Sequence, residues 1–373
     1  MKIDRRAWIE INLENLENNV QEIRKKLKPK TDIIAVIKAN AYGHGDILIA
    51  KKLNELGIRN FAVATLEEGI NLRKNNIKGD ILILGYIPIT KTQKIYNNDL
   101  TQTIIYLEYA YEINKELQKT NKKIKVNIKI NTGMNRIGIK YNEENKIEEI
   151  FKLNNLTTTG IFSHLAVANE VIQENIEYTK EQILKFEKCI NSLKLKGYEV
   201  GKTHIQSSYG MLNYSKNVFD YVRVGLFLYG IQDKKREDFN LKPVLTLKAR
   251  IECINEIEEN ETVGYGRTYI AKNNEKIAVV SIGYADGVPR NLSNKNAKVI
   301  VNGEYGNIIG KICMDQLMIK IPSNVEVKAG DTVTLIGKEN EKEINVNDIA
   351  KLSDSISYEI LSRLGARLDR ILV

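Results

Sequence analysis

Disulfide frameworks are out of reach for this chain. It has three cysteines in 373 residues, Cys189, Cys253 and Cys313, which are far apart, odd in number and form no CxxC pair. That usage points to a reducing compartment. Histidine is equally scarce: His44, His164 and His204 show no metal-ligand spacing with each other or with the cysteines, and no metal is expected. No apolar run approaches the roughly 20 residues needed to span a bilayer. The opening Met1-Lys2-Ile3-Asp4-Arg5-Arg6 lacks the apolar core of a signal peptide. Together these absences predict a cytoplasmic protein with no membrane partner. There is no internal repeat and no low-complexity tract beyond a Lys/Ile/Asn bias. Two phosphate-loop look-alikes fail on detail. Gly43-His44-Gly45 lacks the third glycine of a dinucleotide fingerprint. "GYEVGKT" at 197–203 is one residue short of a P-loop and precedes a strand instead of following one.

What remains is ordinary globular material, 43% hydrophobic and 28% charged. The net charge of +9 does not read as a nucleic-acid surface, because lysines alternate with glutamates, as in Lys185-Phe186-Glu187-Lys188. That pattern marks solvated helix faces, with some net attraction for small anions. The length suits two domains, or one barrel with an appendage.

Apolar strand-like runs at 32–38, 61–65, 81–85, 101–106, 124–130, 157–164, 203–208 and 221–228 alternate with helical patterns. The helices are expected at 13–27, 46–56, 66–74, after Thr90, at 109–120, 142–154 and within 169–196. Several of the strand runs are continuously apolar, as strands covered on both sides are. Eight such units predict an α/β fold, an N-terminal (β/α)8 TIM barrel, with a doubly wound open sheet as the alternative. Past Leu241 the rhythm changes to runs at 244–254, 277–282, 297–301, 317–321 and 332–336, with turn signals between them. The expected division is a barrel over 1–240 and a mostly-β domain over 241–373, joined by a polar link at 232–238.

On that barrel the unusual polar residues gather. Lys38 ends the first strand and Lys129 the fifth, ahead of the Asn131–Arg136 loop. His164 ends the sixth, Gln206-Ser207-Ser208 the seventh, and Arg223-Val224-Gly225 lies in the eighth. Barrel enzymes work at the C-terminal ends of their strands, and the last two loops commonly bind phosphate. A lysine on one side and a phosphate site at Ser208 and Gly225 on the other is what pyridoxal phosphate requires: an amine for the Schiff base and an anchor for the anion.

The segments "AVIKANAYGHG" (35–45), "IKINTGMNRIGI" (128–139), "HIQSSYGMLNY" (204–214), "FDYVRVGLFLYG" (219–230), "VGYGRTY" (263–269), "SIGYADGVPR" (281–290) and "GKICMDQLMI" (310–319) make the chain resemble alanine racemase, a fold-type III pyridoxal-phosphate enzyme, along essentially its whole length. The resemblance implies a two-base racemisation of L- and D-alanine. Lys38 is the Schiff-base lysine and one base, and Tyr265 from the other subunit of a homodimer is the second, on the opposite face of a planar carbanion. A tyrosine near its usual pKa of about 10 is a poor base at neutral pH, and the family answers with His164 in contact with Arg223. Arg223 also faces the cofactor's ring nitrogen. Tyr42, Ser208, Gly225, Leu226 and Tyr358 are implied around the phosphate. Arg136 and the backbone of Met314 receive the substrate carboxylate, Tyr284 narrows the entrance, and a carbamylated Lys129 orients Arg136. A supply of D-alanine as peptidoglycan precursor is the implied role.

Two positions depart from the common family pattern. Asn131 stands where an aspartate is usual, and Gln206-Ser207-Ser208 replaces Ala-Asn-Ser. The second variant resembles serine-active relatives and makes serine or dual alanine/serine racemisation the alternative, whereas Tyr358 argues for alanine. Racemisation or decarboxylation of a larger basic amino acid, a pyridoxal-phosphate carrier, and a basic nucleic-acid module are the remaining rivals. The first is disfavoured by Tyr284 and Tyr358, the second by the β domain with Tyr265, and the third by the lack of any motif.

Overall fold

Eight parallel strands take the places that the apolar runs predict. The computed structural model describes residues 4–170, 172–233 and 236–373. The expected link at 232–238 includes Lys234 and Lys235, which lie outside the described residues, as do Met1, Lys2 and Ile3. Two compact units divide the chain. One comprises Asn19–Ala39 and Asp46–Leu228. The other comprises the residues up to Asn18, Asn40–Gly45 and Tyr229–Val373.

In the first unit the strands run in the order Tyr221–Val224, Asp32–Val36, Asn60–Val63, Asp80–Ile83, Thr101–Ile104, Ile124–Asn131, Leu156–Phe162, Lys202–His204. A parallel bridge between Ser207 and Arg223, with Arg223 N–H donating to Gln206 O at 3.0 Å, joins the last strand toward the first. That nearly closes the barrel and rules out the open-sheet alternative. Parallel neighbours need crossovers, and the helices supply them. Helix Leu66–Lys74 starts where it does because Thr65 and Glu68 form a reciprocal capping box. Both faces of the strands are covered: Ile33, Ile34, Ala35 and Val36 are all buried, as are Val126, Ile128 and Ile130.

The second unit is mostly β, as expected. Its sheet runs Lys342–Ile344, Thr332–Glu339, Lys298–Val301, Glu304–Ile309, Leu317–Lys320, Glu275–Val280, Leu245–Ile257, Ala7–Ile11, Asp369–Leu372. A further pairing of Thr332–Glu339 with Leu245–Ile257 closes six of these strands into a ring. Strand Ala7–Ile11 pairs antiparallel with Leu245–Ile257 and parallel with Asp369–Leu372. The residues up to Asn18 therefore pack with the β-rich unit, although they precede the barrel in sequence. Among the described residues no helix is long and apolar enough to cross a membrane.

Asp286 pins this unit's exposed turn at Tyr284–Asp286. Its fully buried carboxylate accepts from Arg6 at 2.6 and 3.2 Å and from the Gly283 N–H at 3.0 Å, with Arg367 at 3.4 Å. Asp286→Ala leaves the Gly283 N–H without its acceptor. The expected loss is about 2 kcal/mol of stability, read as a lower urea midpoint; an unchanged midpoint contradicts the role.

Candidate active site

Four cations and few counter-charges define the polar end of the barrel. Lys38 lies two residues beyond strand Asp32–Val36, not at the strand end the sequence suggested. Lys129 is inside strand Ile124–Asn131, buried, with its amine donating to Ile130 O at 2.9 Å. His164 follows strand Leu156–Phe162 by two residues. Arg136 is exposed and is held by no side-chain hydrogen bond or ion pair among the described residues. Burial, then Arg136, pulls Lys38 below its usual value, with Glu68 opposing and Arg223 adding. Burial, then Arg223 and Arg136, pulls Lys129 far down. Both shifts favour the neutral, nucleophilic amine form relative to a free lysine.

Arg223 organises the centre. It is buried without a carboxylate, and burial lowers its pKa to about 9. Its Nη1 donates to His204 Nδ1 at 2.6 Å and to His204 O at 3.2 Å. Its Nη2 donates to Ser163 O at 2.7 Å, His164 Nδ1 at 3.0 Å and Ile205 O at 3.0 Å. A guanidinium only donates, so both histidines accept at Nδ1 and carry their proton on Nε2, and the Asn127 side-chain amide 3.3 Å from His204 Nε2 must present its oxygen to that proton. Burial, then Arg223, holds both neutral, far below the usual histidine range. Phe162 supplies the floor. His204 stacks on it at 4.9 Å, and Arg223 and Lys129 lie 5.2 and 5.3 Å from its ring centre. Nearby, Gly225 N–H donates to Ser208 Oγ at 3.3 Å, with Leu226 opening the next short turn.

The segment after Lys38 is the structural surprise. Ala39, Asn40, Ala41 and Tyr42 have φ of 53, 54, 51 and 52°, a left-handed helical turn of four non-glycine residues, followed by Gly43 at 81°. Each such residue costs about 1–2 kcal/mol, so the surroundings must hold it. Glu68 Oε1 accepts from Ala39 N–H at 2.7 Å while its Oε2 accepts from Ala64 N–H at 2.7 Å. Gly43 admits no side chain, since a Cβ there would lie 2.0 Å from Leu361 O.

In the β-rich unit, Tyr265 tops the hairpin made by Thr262–Val263 and Tyr269–Ile270, between two glycines at φ 73°, and is 70% exposed. A small core of Val263, Ile277, Ile309 and Met318 anchors that hairpin. Tyr284 N–H donates to Cys313 O and Ala285 N–H to Met314 O, both at 3.0 Å, which sets Tyr284 beside Met314. Burial, then Tyr358, pushes the Tyr42 phenol up to about 12, so it stays a neutral donor.

These groups fit pyridoxal 5′-phosphate. Lys38 offers a depressed amine to an aldehyde. Ser208 and Gly225 offer donors to a phosphate. Arg223 keeps its Nε–H, which has no acceptor among the described residues, for a ring nitrogen.

Comparison with known proteins agrees. Residues 11–233 match the family model "Alanine racemase, N-terminal domain", and residues 244–372 match "Alanine racemase, C-terminal domain". The chain belongs to the alanine racemase family. It is 40% identical to the alanine racemase of Carboxydothermus hydrogenoformans over 99% of this chain and 100% of that one. The solved alanine racemase of Clostridium difficile 630 superposes with a TM-score of 0.95 at 36% identity, covering 100% of this chain and 97% of the other. An alanine racemase from Bartonella henselae, solved with covalently bound pyridoxal phosphate, superposes at 0.87 and 28% identity, covering 98% and 99%.

Within this alanine racemase framework the two departures acquire structural explanations. Asn131 Oδ1 accepts from the N–H groups of Gly133 and Asn135 at 3.0 and 3.1 Å, and its amide donates to Asn135 Oδ1 at 3.0 Å. It shapes the loop that carries Arg136, and an ionised aspartate has no such donor. Gln206 is buried and donates to Gly210 O, Tyr214 O and Asn217 O, so its amide is committed to backbone. Sequence reasoning missed Glu68, Phe162 and His204. The T-x-x-E capping box at Thr65–Glu68 was a readable signal for Glu68; nothing in the sequence announced the other two.

Proposed function

We propose that the protein interconverts L- and D-alanine with pyridoxal 5′-phosphate. The observation that carries this reading is Arg223: a buried guanidinium whose acceptors are two neutral histidines and backbone carbonyls, next to a lysine whose amine is depressed. When bound, the cofactor takes up the electron pair released as the substrate Cα–H bond breaks. Lys38 holds or moves the proton on one face of that carbon, and the phenolic oxygen of Tyr265 from a second copy does so on the other. Arg223, protonated at neutral pH, hydrogen-bonds the ring nitrogen without protonating it, which weakens the electron sink and limits transamination. His164, neutral with Nε2–H outward from Arg223, serves the second copy's Tyr265. Ser208, Gly225, Leu226, Tyr42 and Tyr358 hold the phosphate. Arg136 and the Met314 backbone receive the substrate carboxylate, with Tyr284 at the entrance. Lys129, in its amine form, adds carbon dioxide to give a carbamate and a proton, and the anion steadies Arg136.

In this reading the barrel that lies within residues 1–240 binds the cofactor, and the β-rich unit that includes residues 241–373 supplies Tyr265 within a homodimer. The 70% exposure of Tyr265 on its own chain supports that assignment. The role is to supply D-alanine for a bacterial cell wall from the cytoplasm. Incubation with L-alanine in heavy water is expected to give loss of the α-hydrogen together with gain of the D-enantiomer; a protein that holds the cofactor without exchange is a carrier instead. Alanine is the main substrate, because Tyr358 brings bulk and the Gln206 NH2 group is already committed to backbone carbonyls. Serine turnover is expected to be lower, since a pocket without a built polar partner discriminates only about 10–200-fold. Serine turnover equal to that of alanine contradicts the assignment.

A further inference from the structure

His44 is buried and belongs to none of the roles above. Its Nδ1 lies 3.0 Å from both Ala41 O and Tyr42 O. Carbonyl oxygens only accept, so Nδ1 carries the proton. Nε2 is buried with no partner among the described residues, and a second proton there would be a buried charge without an acceptor. The ring stacks on Tyr229 at 4.4 Å and 26°, and Tyr229 also tilts against Tyr42 at 5.2 Å. Arg370 donates to Gly43 O at 3.0 Å, placing a cation nearby that further disfavours protonation. His44 is thus neutral, in the opposite tautomer to His164 and His204.

The two carbonyls it satisfies are the last of the left-handed turn. Ala41 O already accepts from the His44 backbone N–H at 3.1 Å, and the imidazole adds a second donor there and one to Tyr42 O, at the end of a turn strained at four successive non-glycine residues. We infer that His44 is a positioning residue: through Nδ1–H it caps the left-handed turn from its C-terminal side and so fixes the backbone between Lys38 and Tyr42. Glu68 holds the same turn from the other end at Ala39 N–H. A polar clamp at each end keeps a conformation that the sequence Ala-Asn-Ala-Tyr would otherwise leave for a right-handed one. The consequence for cofactor capture rests on the function proposed above; the tautomer and the cap do not.

With three histidines in the chain, long-range nitrogen–proton NMR of the histidine-labelled protein at neutral pH can assign every imidazole. The expected spectrum has one neutral ring protonated at Nδ1, lost in His44→Phe, and two protonated at Nε2. An Nε2–H or charged His44 overturns the inference, whatever the variants do. The variants supply the second readout, equilibrium affinity for pyridoxal phosphate. Asparagine places an amide N–H near the position of Nδ1, and glutamine places it near Nε2. His44→Asn is expected to stay within about threefold of the parent, while His44→Gln and His44→Phe weaken binding about tenfold or more. Equal affinity across the three variants overturns the cap. If Lys38→Ala leaves cofactor affinity untouched while the tautomer is as expected, the proposed function fails and the cap stands.

Discussion

Replacing Lys38 with alanine is expected to lower racemisation by about 10,000-fold or more, the largest loss for any single side chain. Two contributions disappear together. One is the amine that burial and Arg136 hold below its usual value, which favours its nucleophilic form. The other is the proton carrier proposed for one face of the substrate carbon. Because the loss comes from a missing amine and not from a collapsed fold, added methylamine is expected to restore part of the activity, and the melting temperature is expected to stay near that of the parent. Lys38→Arg is expected to be as inactive as Lys38→Ala, since a guanidinium at that position is always charged. Steady-state racemisation with and without methylamine checks both statements; an alanine variant within tenfold of the parent contradicts them.

Tyr265→Phe is expected to cost about 1,000-fold with a more informative pattern. The equilibrium between enantiomers is fixed at unity by symmetry, so kcat/KM must fall equally in both directions. Proton exchange is not bound by that symmetry. With one base gone, the remaining one still removes and returns the α-hydrogen on its own face, so exchange against heavy water persists for one enantiomer and stops for the other. The hydroxyl removed is on a residue 70% exposed, and stability is expected to be unchanged. Measuring α-hydrogen exchange for each enantiomer separately provides the test. Equal residual exchange from both hands means that a single group serves both faces.

Much of the barrel was legible because a strand covered on both sides is apolar throughout, and Ile33–Val36 reads that way without knowledge of its neighbours, whereas Ile124–Ile130 alternates apolar residues with Lys125, Asn127 and Lys129. The expected strand ends ran long, by two residues at Val36 and at Phe162. At Val36 the chain leaves the sheet while Ile37 is still apolar and buried, and at Phe162 it turns into the polar Ser163 and His164. Strand Ala7–Ile11 was missed because its partners, Leu245–Ile257 and Asp369–Leu372, are more than 200 residues away. Glu304–Ile309, Val346–Leu352 and Ser357–Ser362 are short and their polarity is mixed, so tertiary packing decides them. In the site, Lys38, Arg136 and Arg223 could be named from motifs. The fork from Arg223 to two histidines could not, because it exists only once the strands ending at Phe162 and His204 lie side by side. The left-handed turn ran against local preference at Ala39, Ala41 and Tyr42, and its contacts with Glu68, Leu361 at Gly43, and His44 appear only in three dimensions.

The central claim is that the two proton carriers come from different copies of the chain. Coexpression of Lys38→Ala with Tyr265→Phe tests it most directly, because each variant is inactive alone. If the bases come from different chains, every mixed dimer holds one site with both residues intact, and a random mixture recovers about a quarter of the parent activity. If both bases come from one chain, no dimer of any composition contains an intact site, and the mixture remains as inactive as its parts.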